Sequence, residues 1–156
     1  LSVIVNGKLW LYNLKIWDVH KHYTGRRIMM KDGKISVVII GGGETGTPLL
    51  RQLAEAPFVE ILGVADLHED APGMVLAKEK GIPVTIDFME LARKGEEVDI
   101  IIEVTGVPEV RERLRTYMQE SNNHHTIIMH EMIAILMMSL SRGKLVAMKH
   151  GEVEYN

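Results

Sequence analysis

Blocks of apolar and polar positions alternate along this chain, and the pattern predicts its elements. Residues 35–40, mostly β-branched, read as a strand buried on both faces, as in a parallel sheet. Gly41, Gly42, Gly43, Glu44, Thr45 and Gly46 follow as a glycine-rich turn, and a helix starts near Thr45 to Pro48 and runs to Ala56. Pro48 suits a first helical turn, where a missing N–H costs nothing. A second strand at 58–65 ends at Asp66. Asp70 is placed to cap a helix over 71–80, with Pro72 in its first turn and Gly81 as its stop. A short third strand occupies 82–86. Asp87 and Glu90 have the spacing of a capping box, for a helix that stops at Gly95.

The alternation continues with a fourth strand at 98–104 and a helix over Pro108–Glu120, which carries Glu109 and Glu112 early and Arg113 and Arg115 late, as the helix dipole favours. A polar loop at 121–124 leads to a fifth strand at 126–129. The segment 131–140 reads as a helix that is apolar almost all round, and 145–148 adds a last short strand. Such a succession predicts an α/β fold, a doubly wound parallel sheet of the Rossmann type in the order 3-2-1-4-5, over residues 31–156.

Residues 1–30 have a different pattern. Two short apolar runs flank Asn6-Gly7, the pair that supplies the positive φ angles of a type I′ turn, so a β-hairpin is expected there. The basic stretch from His20 to Arg27 reads as a solvated connector rather than a metal or phosphate site. This arm is either particular to a family or an addition to the domain. A lone hairpin is marginally stable, so it is expected to pack on the sheet or on a second copy.

Composition narrows the function classes. With 46% hydrophobic and 25% charged residues and a net charge of −3, the chain reads as one globular core without the basic face of a nucleic-acid binder. No apolar stretch reaches membrane-spanning length and no signal pattern opens the chain, so no membrane partner and a cytoplasmic location are expected. Absence of cysteine removes thiolate chemistry and Cys-ligated zinc from these 156 residues.

The chemistry centres on the glycine turn. Gly41, Gly43 and Gly46 stand in a G-x-G-x-x-G spacing: one for the tight turn, one for approach to a pyrophosphate, one for close packing of the helix on the strand. The amides of Glu44 and Thr45 belong to the same helix N-terminus, whose dipole favours phosphate. Asp66 lies twenty residues past Gly46, where a carboxylate meets the adenosine ribose hydroxyls, and Leu67 follows it in the same loop. Thr105 and Gly106 end the fourth strand, beside the point where the winding reverses. Two readings hold for them: a hydroxyl donor and close approach for a nicotinamide ribose, or simply the turn into the next helix. His130 is either an acid–base group at a strand end or a cap on the sheet edge. Methionines 132, 137 and 138 read as core.

The run from Val98 to Gly106, with the glycine turn and the Gly63 to Asp66 ending of the second strand, resembles the nucleotide-binding domains of homoserine dehydrogenase, dihydrodipicolinate reductase and glucose–fructose oxidoreductase-type enzymes. The stretch from Gly63 to Met74 also resembles oxidoreductase-like Rossmann domains of bacterial sensor proteins. The resemblance implies phosphate binding at Gly41, Gly43 and Gly46, ribose binding at Asp66, and a nicotinamide side at Thr105 and Gly106. Those enzymes carry acid–base residues on a second domain and some place a Lys after the fifth strand, where this chain has His130 and Glu131. The expectation is therefore an NAD-type binding or sensing module, with NADP less favoured. It is expected to be homodimeric through the Met-rich C-terminal helix, the hairpin arm, or both. The rivals are an oxidoreductase whose site is completed at the dimer interface, with His130 or an arm residue, and a binder of another nucleotide.

Overall fold

The computed structural model describes residues 33–146 and the backbone of two short strands, Ser2–Val5 (β1) and Lys8–Leu11 (β2). These two pair antiparallel with Val5 opposite Lys8 and Ser2 opposite Leu11, the register of the expected hairpin. The Asn6-Gly7 turn and the basic connector lie outside the described residues. Of the expected last strand, 145 and 146 are not in a strand, and 147 and 148 lie outside the description.

The sheet is 5-stranded and built from Ile35–Ile40 (β3), Val59–Ala65 (β4), Val84–Thr85 (β5), Ile100–Glu103 (β6) and Ile127–His130 (β7). Its order is β5-β4-β3-β6-β7 with every pairing parallel, which is 3-2-1-4-5 counted from β3. This is the Rossmann arrangement expected from the sequence. Period-two alternation along β3 sends its apolar residues to both faces of the sheet. Val37 and Ile39 join a core with helices Gly46–Leu53 (α1), Pro72–Glu79 (α2) and Glu131–Arg142 (α5). Val38 and Ile40 join the opposite core with Phe88–Ala92 (α3) and Pro108–Glu120 (α4). Both faces of β3 are thus buried, and its carboxyl end lies beside that of β6, where the winding reverses.

Three local expectations need correction. Asp70 does not cap α2: the N-cap is Ala71, which makes no side-chain cap bond, and its own N–H closes a turn on the His68 carbonyl at 3.0 Å. Pro72 at the helix start has no N–H to satisfy, so a cap is less needed there. The capping box of α3 is formed by half. Asp87 accepts from the Met89 N–H at 3.0 Å, but Glu90 accepts the Thr85 hydroxyl at 2.7 Å, and that hydroxyl accepts the Asp87 N–H at 3.1 Å. α3 also ends at Ala92, and a 3-10 turn at Gly95–Glu97 finishes the segment.

The last helix, α5, buries only part of its apolar surface. Ala134 and Met138 face the core, whereas Met132, Ile133, Leu136, Met137 and Leu140 are exposed. Spacing of one, three and four residues sets those five on one stripe. No helix among the described residues is long and apolar enough to cross a membrane.

Candidate functional site

The carboxyl ends of β3, β4 and β6 open into a cleft of about 890 Å³. Its floor is the glycine turn, and each glycine is there for a different steric reason. Gly41 has φ +110°, and its N–H donates to the Ala65 carbonyl at 2.8 Å, so the chain leaves β3 while still bonded to β4. A Cβ on Gly41 would also stand 2.9 Å from the Val104 carbonyl carbon and oxygen at the end of β6. A Cβ on Gly46 would run into the Gly41 carbonyl oxygen, so only glycine lets α1 start this close to the strand. Gly43 differs: nothing lies within 4 Å of the place its Cβ would take. Open space stands in front of that backbone, at the edge of the cleft it lines.

A second helix is pressed onto the turn. Gly73 donates its N–H to the Gly42 carbonyl at 2.8 Å, and a Cβ there would meet Gly42 Cα at 2.7 Å. The same carbonyl accepts the Thr47 hydroxyl at 2.9 Å. Sequence reading passed over Gly73, although the Pro72-Gly73 pair at a helix start, directly after an acid-rich loop, is the signal that marks it.

Asp66 holds the turn from the other side. Its Oδ2 accepts the Gly42 N–H at 2.6 Å and its Oδ1 the His68 N–H at 2.9 Å. Two backbone donors therefore fix the carboxylate at the cleft, with lone-pair capacity left on each oxygen. Leu67, exposed at the rim, lines the cleft beside Asp66.

The nine residues singled out from the sequence largely converge. Gly41, Gly43, Glu44, Thr45, Asp66, Leu67 and Thr105 line the cleft, while Gly46 and Gly106 shape its floor and side without lining it. The Thr105 hydroxyl is not a free donor: it donates to Glu103 Oε1 at 2.6 Å and accepts the Val107 N–H at 3.0 Å. Its single proton is committed to holding the turn, which favours the turn-forming reading for that hydroxyl. The sequence also gave no hint of the α4 side. Val107, Val110, Glu109, Glu112 and Arg113 line the cleft together with Ile86 and Phe88, and the Arg113 guanidinium lies 5.0 Å from the Phe88 ring centre.

Beneath the β6 turn lies a buried polar cluster. Glu103 is fully buried, and besides Thr105 Oγ1 its Oε1 accepts the Thr105 N–H at 2.9 Å. Its Oε2 faces Arg111 Nε and His130 Nδ1, each at 3.5 Å. Burial lowers the His130 pKa below its ordinary 6.5, and the Arg111 charge lowers it further, against the opposing pull of Glu103. Its contact with Glu103 turns the His130 ring toward this cluster, and His130 does not line the cleft. Its neighbour Glu131 is the residue that faces the cleft, accepting the Thr45 hydroxyl at 3.2 Å.

No family model matches the chain. Acetaldehyde dehydrogenases of Chloroflexus aggregans and Chloroflexus aurantiacus are 30% identical to it over 78 residues, 49% of this chain and 26% of theirs. The chain thus spans about a quarter of the length of these curated relatives. Among solved structures, saccharopine dehydrogenase from Saccharomyces cerevisiae is 19% identical, with TM-score 0.47, over 62% of this chain and 21% of that one. GenD2 from gentamicin A biosynthesis, in complex with NAD, is 20% identical, with TM-score 0.46, over 68% and 36%. A myo-inositol dehydrogenase from Corynebacterium glutamicum is 15% identical, with TM-score 0.47, over 70% and 33%.

Proposed function

We propose that this domain binds a dinucleotide of the NAD type in the cleft at the sheet's carboxyl edge and works as a binding or sensing module. The observation that carries it is the pairing of an unobstructed Gly43 backbone with a carboxylate, Asp66, fixed by the same turn. A pyrophosphate needs close approach to backbone amides at a helix N-terminus, and Gly43 leaves that approach open. The adenosine ribose then falls to Asp66, and the apolar side chains of Leu67, Ile86 and Val107 give an adenine slot. Glu44, Thr45, Thr105 and Gly106 border the pyrophosphate and the second ribose.

Calorimetric titration with NAD and with ADP-ribose tests this directly. Saturable binding of both to the unmodified protein is expected. Failure of both at millimolar concentration overturns it.

A second reading is favoured by the similarity to acetaldehyde dehydrogenases, of which the chain matches about a quarter. On that view the cleft is the cofactor half of an NAD-dependent oxidoreductase, and groups outside the described residues supply the acid–base chemistry. Turnover of NAD with small aldehydes separates the two: the module alone gives none.

The exposed stripe on α5 supports a further element of the proposal, a homodimer. Met132, Ile133, Leu136, Met137 and Leu140 carry no charge, so a two-fold axis can set the stripe against its own copy without like-charge repulsion.

A further inference from the structure

Glu131 stands where the cofactor's second half would lie. Along the sheet the order of strand ends is β5, β4, β3, β6, β7. Asp66 follows β4, the glycine turn follows β3, Thr105 and Gly106 follow β6, and Glu131 follows β7. A dinucleotide with its adenosine ribose on Asp66 and its pyrophosphate at Gly43 therefore extends its other ribose and ring over β6 and β7. There the Glu131 carboxylate stands between the glycine turn and the turn at Gly106. Its Oε1 accepts the Thr45 hydroxyl at 3.2 Å, and its Oε2 lies 3.8 Å from the place a Gly106 Cβ would take.

We infer that Glu131 makes the site selective for the oxidised cofactor over the reduced one, an inference that rests on the cofactor reading above. The two forms share adenosine, pyrophosphate and both riboses, and differ at the ring. The oxidised pyridinium carries a positive charge, whereas the reduced dihydropyridine is neutral. Any repulsion between Glu131 and the pyrophosphate is common to both forms and cancels in their ratio. What remains is attraction between the carboxylate and the pyridinium. A tenfold preference needs only about 1.4 kcal/mol, which a unit-charge pair at an effective dielectric of about 20 supplies at separations out to about 12 Å.

The other charges of the cleft do not cancel this preference. Arg113 lies over Phe88, which starts the helix after β5 at the opposite edge of the sheet. Glu109 and Glu112 lie on the same α4 face as Arg113, Glu44 belongs to the glycine turn, and His68 follows Asp66 on the adenosine side. His130, the nearest histidine in sequence, is turned to Glu103 instead.

Titration calorimetry with NAD, NADH and ADP-ribose tests the inference on the unmodified protein and on Glu131→Gln and Glu131→Asp. The unmodified protein is expected to bind NAD more tightly than NADH. Glu131→Gln should lower the NAD-to-NADH affinity ratio by about tenfold, equivalent to a rise of about 30 mV in the potential of the bound couple. Glu131→Asp keeps the charge and should keep most of the preference. A ratio that falls less than about threefold in Glu131→Gln overturns the inference. So does tighter NADH than NAD binding by the unmodified protein, an outcome independent of how any variant folds. ADP-ribose lacks the ring and reads the adenosine and pyrophosphate half alone. If it fails to bind, the cofactor reading itself fails. If it binds while the ratio stays unchanged, only the role of Glu131 is lost.

Discussion

The Gly42 N–H donates to Asp66 Oδ2 at 2.6 Å, so the end of β4 and the glycine turn after β3 form one rigid unit. A ligand that touches one must fit the other. The bond also spends part of Asp66 on structure, since charge-assisted bonds of this kind contribute roughly 1.5–3 kcal/mol. Loss of the carboxylate should therefore loosen the turn as well as remove a ribose acceptor. Asp66→Asn keeps the shape but halves the acceptors. It is expected to lower the melting temperature of the free protein and to weaken NAD binding by about tenfold or more, read by calorimetry on the same samples.

Steric differences among the glycines separate binding from folding. Gly43→Val places its side chain in open space, so the free protein should melt near the unmodified value. It should lose the ligand-induced rise, about 5–10 °C at roughly 100 times the dissociation constant, because the side chain occupies the pyrophosphate's place. Gly46→Ala and Gly73→Ala should do the opposite. Their Cβ atoms meet backbone that cannot yield, and a destabilisation of about 2–4 kcal/mol is expected for each in chemical denaturation. A Gly43→Val protein that still shifts with NAD would remove the turn from the site.

Far from the cleft, Asp99 gives an acid-sensitive lock at the amino edge of the sheet. Burial raises its pKa, but the Ser36 N–H at 2.7 Å, the Ser36 hydroxyl at 2.9 Å and His125 Nε2 at 2.8 Å more than offset this. The net result lies below the ordinary 3.8. A depressed carboxylate adds stability that is fully present above the unfolded pKa and is lost as pH falls through the folded one. Asp99→Asn should thus cost about 1–3 kcal/mol at pH 7, and the gap between variant and parent should close below about pH 4. A gap unchanged down to pH 3 in urea denaturation would contradict the assignment.

Much of this was legible in the sequence, for definite physical reasons. The sheet order follows from β-branched runs alternating with helical segments, since few topologies accommodate that succession. Gly41, Gly43 and Asp66 were readable because a glycine spacing and an acid at a fixed distance encode a local geometry. What escaped were contacts between distant elements. Gly73 is needed only because α2 lands on Gly42, and Glu131 faces the cleft only because α5 starts one residue after β7 pairs with β6. The Thr105 proton went to Glu103, two residues earlier, which spacing alone does not reveal. Asp70 failed as a cap by one residue, the scale on which helix starts are least encoded.

Preference between the two dinucleotides turns on the charges around Asp66. NADP would set a 2′-phosphate against that carboxylate, with one acceptor losing its donor. Glu69 and Asp70 follow in the exposed loop, and Glu109 and Glu112 line the cleft from α4. Arg113 is the cation that α4 brings to this cleft, but its guanidinium is engaged over the Phe88 ring at 5.0 Å. Like charges at this range should cost at least ~1.4 kcal/mol, a factor of about ten in affinity. NAD is therefore expected to bind at least about tenfold more tightly than NADP at pH 7.5 in calorimetry. Asp66→Ser with Leu67→Arg removes the acid and offers a cation at the exposed rim position, and should invert the order. Equal or tighter NADP binding by the unmodified protein would mean that Asp66 does not meet the ribose.

The exposed stripe on α5 makes the remaining prediction. At tens of micromolar, light scattering should give twice the 17.6 kDa mass of one chain. Leu136 is exposed in the middle of the stripe, so its replacement does not disturb the core formed by Ala134 and Met138. Leu136→Glu would set two carboxylates against each other across a two-fold axis. Each would lose water without gaining a partner, a penalty of several kcal/mol per ion when buried. That variant should sediment as a monomer with an unchanged far-ultraviolet circular dichroism spectrum. The two measurements together discriminate between occupants of the stripe. Monomer mass for the unmodified chain would exclude the second copy. Dimer mass that survives Leu136→Glu would move the interface to the hairpin arm.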